Sequence, residues 1–383
     1  MKKNIKVFYW SPYTSKVATI RAVLNSASGL MKYSKGVIQA NIIDAFGEWK
    51  EHLIEMNNNG IIHSPLIDKK KFTAKNKTGF IKSRLYQILI FIKCFFPLKE
   101  LLKKEKPNYL IIHLLTSLPM FLNLFFRLET KIILRISGLP QMNIFRKFFW
   151  KIAIKKIYLV TCPTNATKLD IINLNIIDKK KIIVLKDPII NVRQVIKEKK
   201  SLEEKIEHKN YFLSIGRFTK QKNFIFLVQS FREFVKKKND AKLLIIGEGE
   251  QRQEIEKFIQ VNNLNKNIIL LNYKKNVYPF IKNCKCFILS SLWEDPGFVI
   301  IESAFCNKPI ISSNCKNGPS EILSEGKSGF LYNTNSNEDF LRKINDFENC
   351  NKDTLKEMIY KTKKNIKDFS IFSHFIKLRK ILI

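Results

Sequence analysis

Residues 211–247 read YFLSIGRFTKQKNFIFLVQSFREFVKKKNDAKLLIIG. The run Tyr211–Gly216 is a short apolar strand that stops at a glycine. In the segment after it, Phe224, Leu227, Val228, Phe231 and Val235 recur at three- and four-residue intervals, which gathers them on one face of a helix. A second apolar run, Ala241–Gly247, completes the unit. Near-continuous Val/Ile/Leu strands separated by amphipathic helices are what a parallel sheet covered on both faces requires.

The same grammar extends outward. EQRQEIEKFIQ (250–260) turns Ile255, Phe258 and Ile259 to one side, and NIILLN (267–272), CFILSS (286–291) and PIISS (309–313) are further buried strands. The first half follows suit with IKVFYW, GVIQANIID, YLIIH, KIILRIS, IYLVTC and KIIVL as strands and helices expected near 14–30, 80–104, 143–154 and 165–175. A chain of 383 residues is too long for one ordinary domain. The fold class is α/β, with two doubly wound domains in series facing across a cleft. The expected boundaries are a first domain over 1–190, a charged linker over 191–207, a second domain over 208–365, and a closing segment over 366–383. In such sheets ligands bind beyond the carboxyl ends of the strands, where the strand order reverses.

The chain carries 68 Lys and Arg against 33 Asp and Glu, a formal net charge of +35, with most of the excess in residues 1–200. Such a balance suits a polyanionic partner: nucleic acid, anionic lipid or a phosphorylated substrate. Lysine dominates the basic set, and the abundance of Lys, Asn, Ile and Phe equally suits an AT-rich coding bias. Nucleic acid is not expected as a partner, because no zinc-finger, helix-turn-helix or RNA-binding signature accompanies the charge. The seven cysteines show no CxxC pair and no His-rich spacing. That argues against a zinc site or a disulfide scaffold and for a reducing, cytoplasmic setting. No apolar stretch reaches the roughly 18–20 residues of a membrane span.

Three features carry chemistry. In SIGRFTKQKN (214–223), Gly216 ends a strand and lets a ligand approach the backbone, while Arg217 and Lys222 are able to neutralise a diphosphate. Arg217 is also compatible with a surface ion pair, and Lys222 with a solvated helix start. In LSSLWEDPGFVIIESAF (289–305), Glu294 sits in the loop after a strand and Glu302 follows eight residues later, about a turn inside a helix that begins near Gly297. The free N–H groups between them suit phosphate, and a carboxylate in the helix suits a ribose diol. The plainer readings are dipole complementarity for Glu294 and a surface position for Glu302. The third, CKNGPSEILSEGKSGFLY (315–332), reads mostly as packing.

Taken in this order, SIGRFxxxKN, LLIIGEGE, the stretch through EDPGFVIIESAF and NGPSEIL resemble the C-terminal domain of the family 4 retaining glycosyltransferases (glycosyl transferases group 1), over about residues 208–335. The resemblance implies a GT-B fold of two Rossmann-like domains. It implies transfer of a hexose or N-acetylhexosamine from a nucleotide-sugar, UDP-linked by preference, to a glycan or lipid-linked acceptor of surface polysaccharide, capsule or lipopolysaccharide. It assigns Arg217 and Lys222, beside Gly216, to the donor diphosphate, Glu302 to the ribose, Glu294 to the donor sugar, and the backbone of Gly297, Phe298 and Val299 to phosphate or sugar. The base is expected around Asn272 to Asn276. It implies no cofactor and no obligatory metal, since two cations and a helix N-terminus replace a divalent ion. His113, ending YLIIH, is the second candidate catalytic residue, with a structural histidine as the alternative; Arg135, Ser137 and Gly138 at the end of KIILRIS would line the acceptor side. The loop 11–19 lacks the paired glycines common in relatives. DFSIFSHFIKLRKIL (368–382) resembles the family's closing helix, which crosses back to the first domain.

FIKSRLYQILIFIKCFFPLKELLKKEK (80–106) and FRKFFWKIAIKK (145–156) mix basic with aromatic residues. Either they lie on an anionic membrane face, making the protein peripheral to the plasma membrane, or their apolar residues are core and their lysines solvated. A catalytically silent GT-B scaffold subunit and a basic nucleic-acid-binding protein are the alternative functions.

Overall fold

The computed structural model describes residues 4–14, 17–67, 80–138, 142–200 and 210–383, and of 80–84 only the helical backbone. The chain divides into two units, one of residues 1–188 with 371–383, the other of residues 189–370.

In the N-terminal unit β1 (Ile5–Trp10), β2 (Ile38–Asp44), β3 (Ile62–Pro65), β4 (Tyr109–Ile112), β5 (Lys131–Arg135), β6 (Leu159–Cys162) and β7 (Ile182–Val184) form a sheet in the order β3-β2-β1-β4-β5-β6-β7. Its paired neighbours run parallel. In the C-terminal unit β8 (Phe212–Ile215), β9 (Leu243–Ile246), β10 (Ile268–Leu271), β11 (Cys286–Leu289), β12 (Ile310–Ser313) and β13 (Phe330–Tyr332) are also parallel, in the order β10-β9-β8-β11-β12-β13. Strand order therefore reverses between β1 and β4 in one sheet and between β8 and β11 in the other. Those are the two places where this topology opens a crevice.

The pleat explains why the strands read as unbroken apolar runs. Along β1, Phe8 and Trp10 enter the core on one sheet face and Val7 and Tyr9 the core on the other. Along β8, Leu213 and Ile215 face one way and Phe212 the other. Each sheet is thus the middle of three layers. The edge strand β3 (IHSP) is not evident from the sequence because it is half exposed and has no apolar run. Helix Ser117–Phe125 escapes notice because SLPMFLNLF is apolar nearly all round.

The expected linker is corrected by the structure. Val192–Glu198 is a helix of the C-terminal unit, its Val195 buried in that unit's core, and Ile190 pairs with Ser370. Its amphipathic turn is masked in sequence by the charges on its exposed face; the remainder, 201–207, lies outside the described residues. The units accordingly divide after Pro188 and after Ser370.

Helix Ile371–Leu382 returns to the N-terminal unit. It buries Ile371, Phe375, Leu378 and Leu382, a four-three-four spacing that forms one stripe. It crosses helix Ala18–Tyr33 at Gly29, where a Cβ would lie 2.9 Å from Ile371. Beside this contact His374 Nδ1 lies 2.7 Å from the Lys186 carbonyl, which fixes Nδ1 as the protonated donor. Nε2 then accepts from Ser26 (2.9 Å), and Ser26 Oγ in turn accepts from Tyr9 OH (2.8 Å). Burial, only partly opposed by the carbonyl contact, lowers the His374 imidazole from 6.5 to about 4. The unfolded chain therefore takes up this proton at a higher pH than the folded one. The contribution to stability is complete above pH 6.5 and is lost as pH falls toward 4, by about 3 kcal/mol. Urea melts of the wild type and His374→Gln are expected to show their stability difference shifting by that amount between pH 7 and pH 4. A difference constant with pH would contradict the assignment.

Candidate active site

At the switch point of the C-terminal sheet two loops meet, one after β8 and one after β11. The first holds Gly216 to Asn223. Gly216 N–H donates to the Ile246 carbonyl (3.0 Å), and a Cβ on Gly216 would fall 3.1–3.2 Å from Cγ, Cδ and Cε of Lys222. The missing side chain is therefore the space in which the Lys222 stem lies. From there Lys222 Nζ reaches Glu294 Oε1 at 2.5 Å, joining residues 72 apart in sequence. Ser291 Oγ donates to the same oxygen at 2.6 Å. The pair is largely buried, with side-chain exposures of 14% and 6%. A carboxylate so buried must have charged or hydroxyl partners, and among the described residues these are the two it has. The loops are stitched further by Ser290 Oγ to the Lys222 carbonyl (2.7 Å) and by Gln221 Nε2 to the Trp293 carbonyl (2.9 Å).

Arg217 follows Gly216 with its side chain exposed, and among the described residues its guanidinium makes no ion pair. Gly297 takes the left-handed conformation (φ +90°), and a Cβ there would press on the Glu294 stem at 3.3–3.5 Å. A larger residue would be strained and would displace the carboxylate. Helix Phe298–Phe305 starts at this point without a side-chain cap, so the N–H groups of its first turn remain oriented toward the loop. Glu302, half-buried, stands at the fifth helical position.

A brace lies behind this loop. The 315–318 segment, read as packing, holds it from below: Glu294 N–H donates to the Lys316 carbonyl (3.2 Å), Trp293 bridges to Lys316, and a Cβ on Gly318 would lie 2.1 Å from the Pro296 carbonyl oxygen. The signal that points to it is the Asn-Gly-Pro run, which demands close backbone contact. Ser291, in the doublet of CFILSS, is a second unforeseen site residue. In the loop after β10, Tyr273 is exposed and Asn276 is tied to the Glu198 carbonyl (3.0 Å).

The N-terminal unit places His113 at the matching position. Its N–H donates to the Trp10 carbonyl (2.9 Å), so it marks the end of β4 beside β1. A cavity of about 450 Å³ opens here, lined among others by Tyr13, His113, Arg135, Ser137, Arg146 and Trp150. His113 Nδ1 is buried without a hydrogen-bond partner among the described residues. Burial, then the nearby Arg135 and His374, hold the imidazole well below its usual range, so it is neutral near pH 7. Arg135 is less open than expected. It pairs with buried Asp187 at 2.6 Å and donates to the Leu185 carbonyl at 2.6 Å, so its charge is committed to the fold. Of the glycine-free loop, Pro12, Tyr13, Thr14 and Val17 reach the cavity; residues 15 and 16 lie outside the described residues.

Residues 195–365 match the family of glycosyl transferases group 1. An uncharacterised glycosyltransferase of Methanocaldococcus jannaschii is 32% identical over 280 residues, covering 67% of each chain. This chain belongs to the glycosyl transferases group 1 family. A second relative, matched over a similar length, is the UDP-Gal:alpha-D-GlcNAc-diphosphoundecaprenol alpha-1,3-galactosyltransferase of Escherichia coli. It is 26% identical over 285 residues, covering 66% of this chain and 69% of that one. The crystal structure of Anabaena HepE in complex with UDP superposes with a TM-score of 0.70 at 13% identity, covering 99% of both chains. At that identity the likeness shows the fold: the two parallel sheets are those of GT-B glycosyltransferases, as the group 1 motifs led one to expect.

Proposed function

We propose that this glycosyltransferase transfers a hexose or N-acetylhexosamine, with retention, from a UDP-linked donor to a glycan or lipid-linked acceptor of surface polysaccharide or lipopolysaccharide synthesis. The observation that carries the reading is the buried Lys222–Glu294 pair at the β8/β11 switch point, with Arg217 exposed beside it. The UDP-galactose donor and diphosphoundecaprenol acceptor named for the Escherichia coli relative support the donor and acceptor classes.

In this reading Arg217 forks onto the diphosphate and Lys222 adds a point charge, while the first-turn N–H groups at Phe298 and Val299 complete the cradle. Glu302 holds the ribose diol. Glu294, fixed by Lys222 and Ser291, accepts hydrogen bonds from donor-sugar hydroxyls and stabilises positive charge as the glycosidic bond to phosphate breaks. The leaving phosphate takes the acceptor proton on the face it departs from. The anomeric carbon thus exchanges one oxygen for another on the same side, without a covalent enzyme intermediate. The cavity with neutral His113 receives the acceptor, a second, non-reacting hydroxyl of which donates to Nδ1. Two side-chain cations and a helix terminus suffice for the leaving group, so turnover is independent of added divalent metal and of a cofactor.

The test is proton NMR of the product formed from an α-linked UDP-sugar in the presence of EDTA. An α-linked product supports the reading; a β-linked product contradicts it.

A further inference from the structure

Helix Phe80–Glu105 has two apolar faces. Ile90, Cys94, Leu98 and Leu102 are buried against the N-terminal sheet. On the other side Leu85, Leu89, Ile92 and Phe96 form a second stripe at four-, three- and four-residue intervals, with Ile92 61% and Phe96 66% exposed. Helix Ile144–Ala153 repeats the arrangement. Trp150 and Ala153 enter the same core, while Ile144, Phe145 and Phe148 stand out, 85%, 86% and 67% exposed. Helix Ser117–Phe125 packs against both, so the three cover one sheet face. Each helix is thus core on one side and exposed apolar on the other. Lys82 and Arg84, counted with the first stretch, lie outside the residues whose side chains are described.

An apolar face this wide implies an occupant, and the charge around it selects which. No acidic residue occurs between Glu129 and Asp170, whereas Lys147, Lys151, Lys155 and Lys156 are exposed on and just beyond helix Ile144–Ala153. A second copy of this chain would bring lysine against lysine. An anionic lipid surface takes both components: the aromatic and aliphatic side chains among the acyl chains, the ammonium groups at the headgroups. No described helix is long and apolar enough to cross a membrane, so the helices lie along it.

We infer that the outward faces of helices Phe80–Glu105 and Ile144–Ala153 dock this protein on an anionic bilayer. Helix Ile144–Ala153 then has the bilayer on one side and the cavity on the other, because Arg146 and Trp150 of the same helix line that cavity. If the acceptor is lipid-linked, as the proposed function has it, the helix brings its phosphate to Arg146 without full extraction from the membrane.

The experiment is flotation of the full chain with vesicles of phosphatidylcholine, alone or with about 30 mol% phosphatidylglycerol, at about 0.1 M and about 0.5 M salt. The wild type is expected to float with the anionic vesicles at low salt and to be released at high salt. Lys147→Gln/Lys151→Gln should bind about 25-fold more weakly, roughly five-fold for each lysine. Phe145→Ser/Phe148→Ser should lose about ten-fold or more, with an unchanged thermal melt and an unchanged melting shift on adding UDP. Equal flotation with neutral vesicles, or variants that float like the wild type, would overturn the proposal. So would a wild-type dimer that the phenylalanine variant converts to monomer. Absence of the UDP shift in the wild type bears on the transferase reading and leaves flotation as the test of docking.

Discussion

Glu294→Ala is expected to lower turnover about 10²–10³-fold while the dissociation constant for UDP stays within about three-fold of the wild type or tightens. The asymmetry follows from the 2.5 Å contact with Lys222. In the proposed reading that ammonium divides its charge between the carboxylate and the donor diphosphate. Removing the carboxylate withdraws a group needed as the sugar becomes cationic, but leaves the cation to the diphosphate. Lys222→Met acts in the opposite sense: it removes a phosphate contact and leaves Glu294 buried with only the Ser291 hydroxyl. It should weaken UDP about ten-fold or more and also lower the melting temperature, since a buried carboxylate without its cation is costly. Steady-state kinetics and calorimetric UDP titrations of both variants check this. Unaltered turnover in Glu294→Ala would remove it from the chemistry.

Gly247→Ala is expected to cost about 3–5 kcal/mol, a drop in melting temperature of roughly 10 °C or more. Gly247 ends β9 at φ +154°, and a Cβ there would lie 1.8 Å from the carbonyl oxygen of Gly216. The clash is backbone against side chain, and no rotamer relieves it. The strand ends must separate, which shifts Gly216 and with it Arg217 and Lys222. Gly216→Ala provides the contrast. Its Cβ would meet only the flexible Lys222 stem at 3.1–3.2 Å. Stability should fall by less than about 1 kcal/mol, while UDP binding weakens because the lysine is pushed aside. Thermal melts with and without UDP separate the two. A Gly247→Ala protein melting with the wild type would show that the strand ends do not abut as described.

Much of this fold is legible from sequence because its strands are buried on both faces. Buried parallel strands such as LLIIG and CFILSS stand out as apolar runs, and their helices by a three-to-four spacing. What was hidden depends on distance rather than pattern. The Lys222–Glu294 pair joins residues 72 positions apart, and in a chain so rich in lysine nothing marks Lys222 beyond its place in the motif. Ser291 is equally invisible, and the Gly318–Pro296 contact is signalled only by an Asn-Gly-Pro run that has many commoner uses. The helix at Val192–Glu198 was concealed by surface charge; the helix expected over 80–104 is present as Phe80–Glu105, and only its second, exposed apolar face was not separable from the buried one by spacing. Arg135 lines the N-terminal cavity from its strand end, but its ion pair with Asp187, 52 residues later in sequence, is another distant contact that no local pattern marks.

The central claim is that a nucleoside diphosphate binds at the β8/β11 switch point through Arg217 and Lys222. The most direct measurement is a thermal-shift panel with UDP, GDP, ADP and CMP on the wild type and on Arg217→Ala. A ligand at about 100 times its dissociation constant adds about 2.7 kcal/mol of stability, which appears as a rise of several degrees. The account predicts a rise with UDP that disappears in Arg217→Ala, with the variant's ligand-free melt unchanged because this exposed side chain supports no other contact described. No rise with any nucleotide, or a UDP rise that survives in Arg217→Ala, would contradict it.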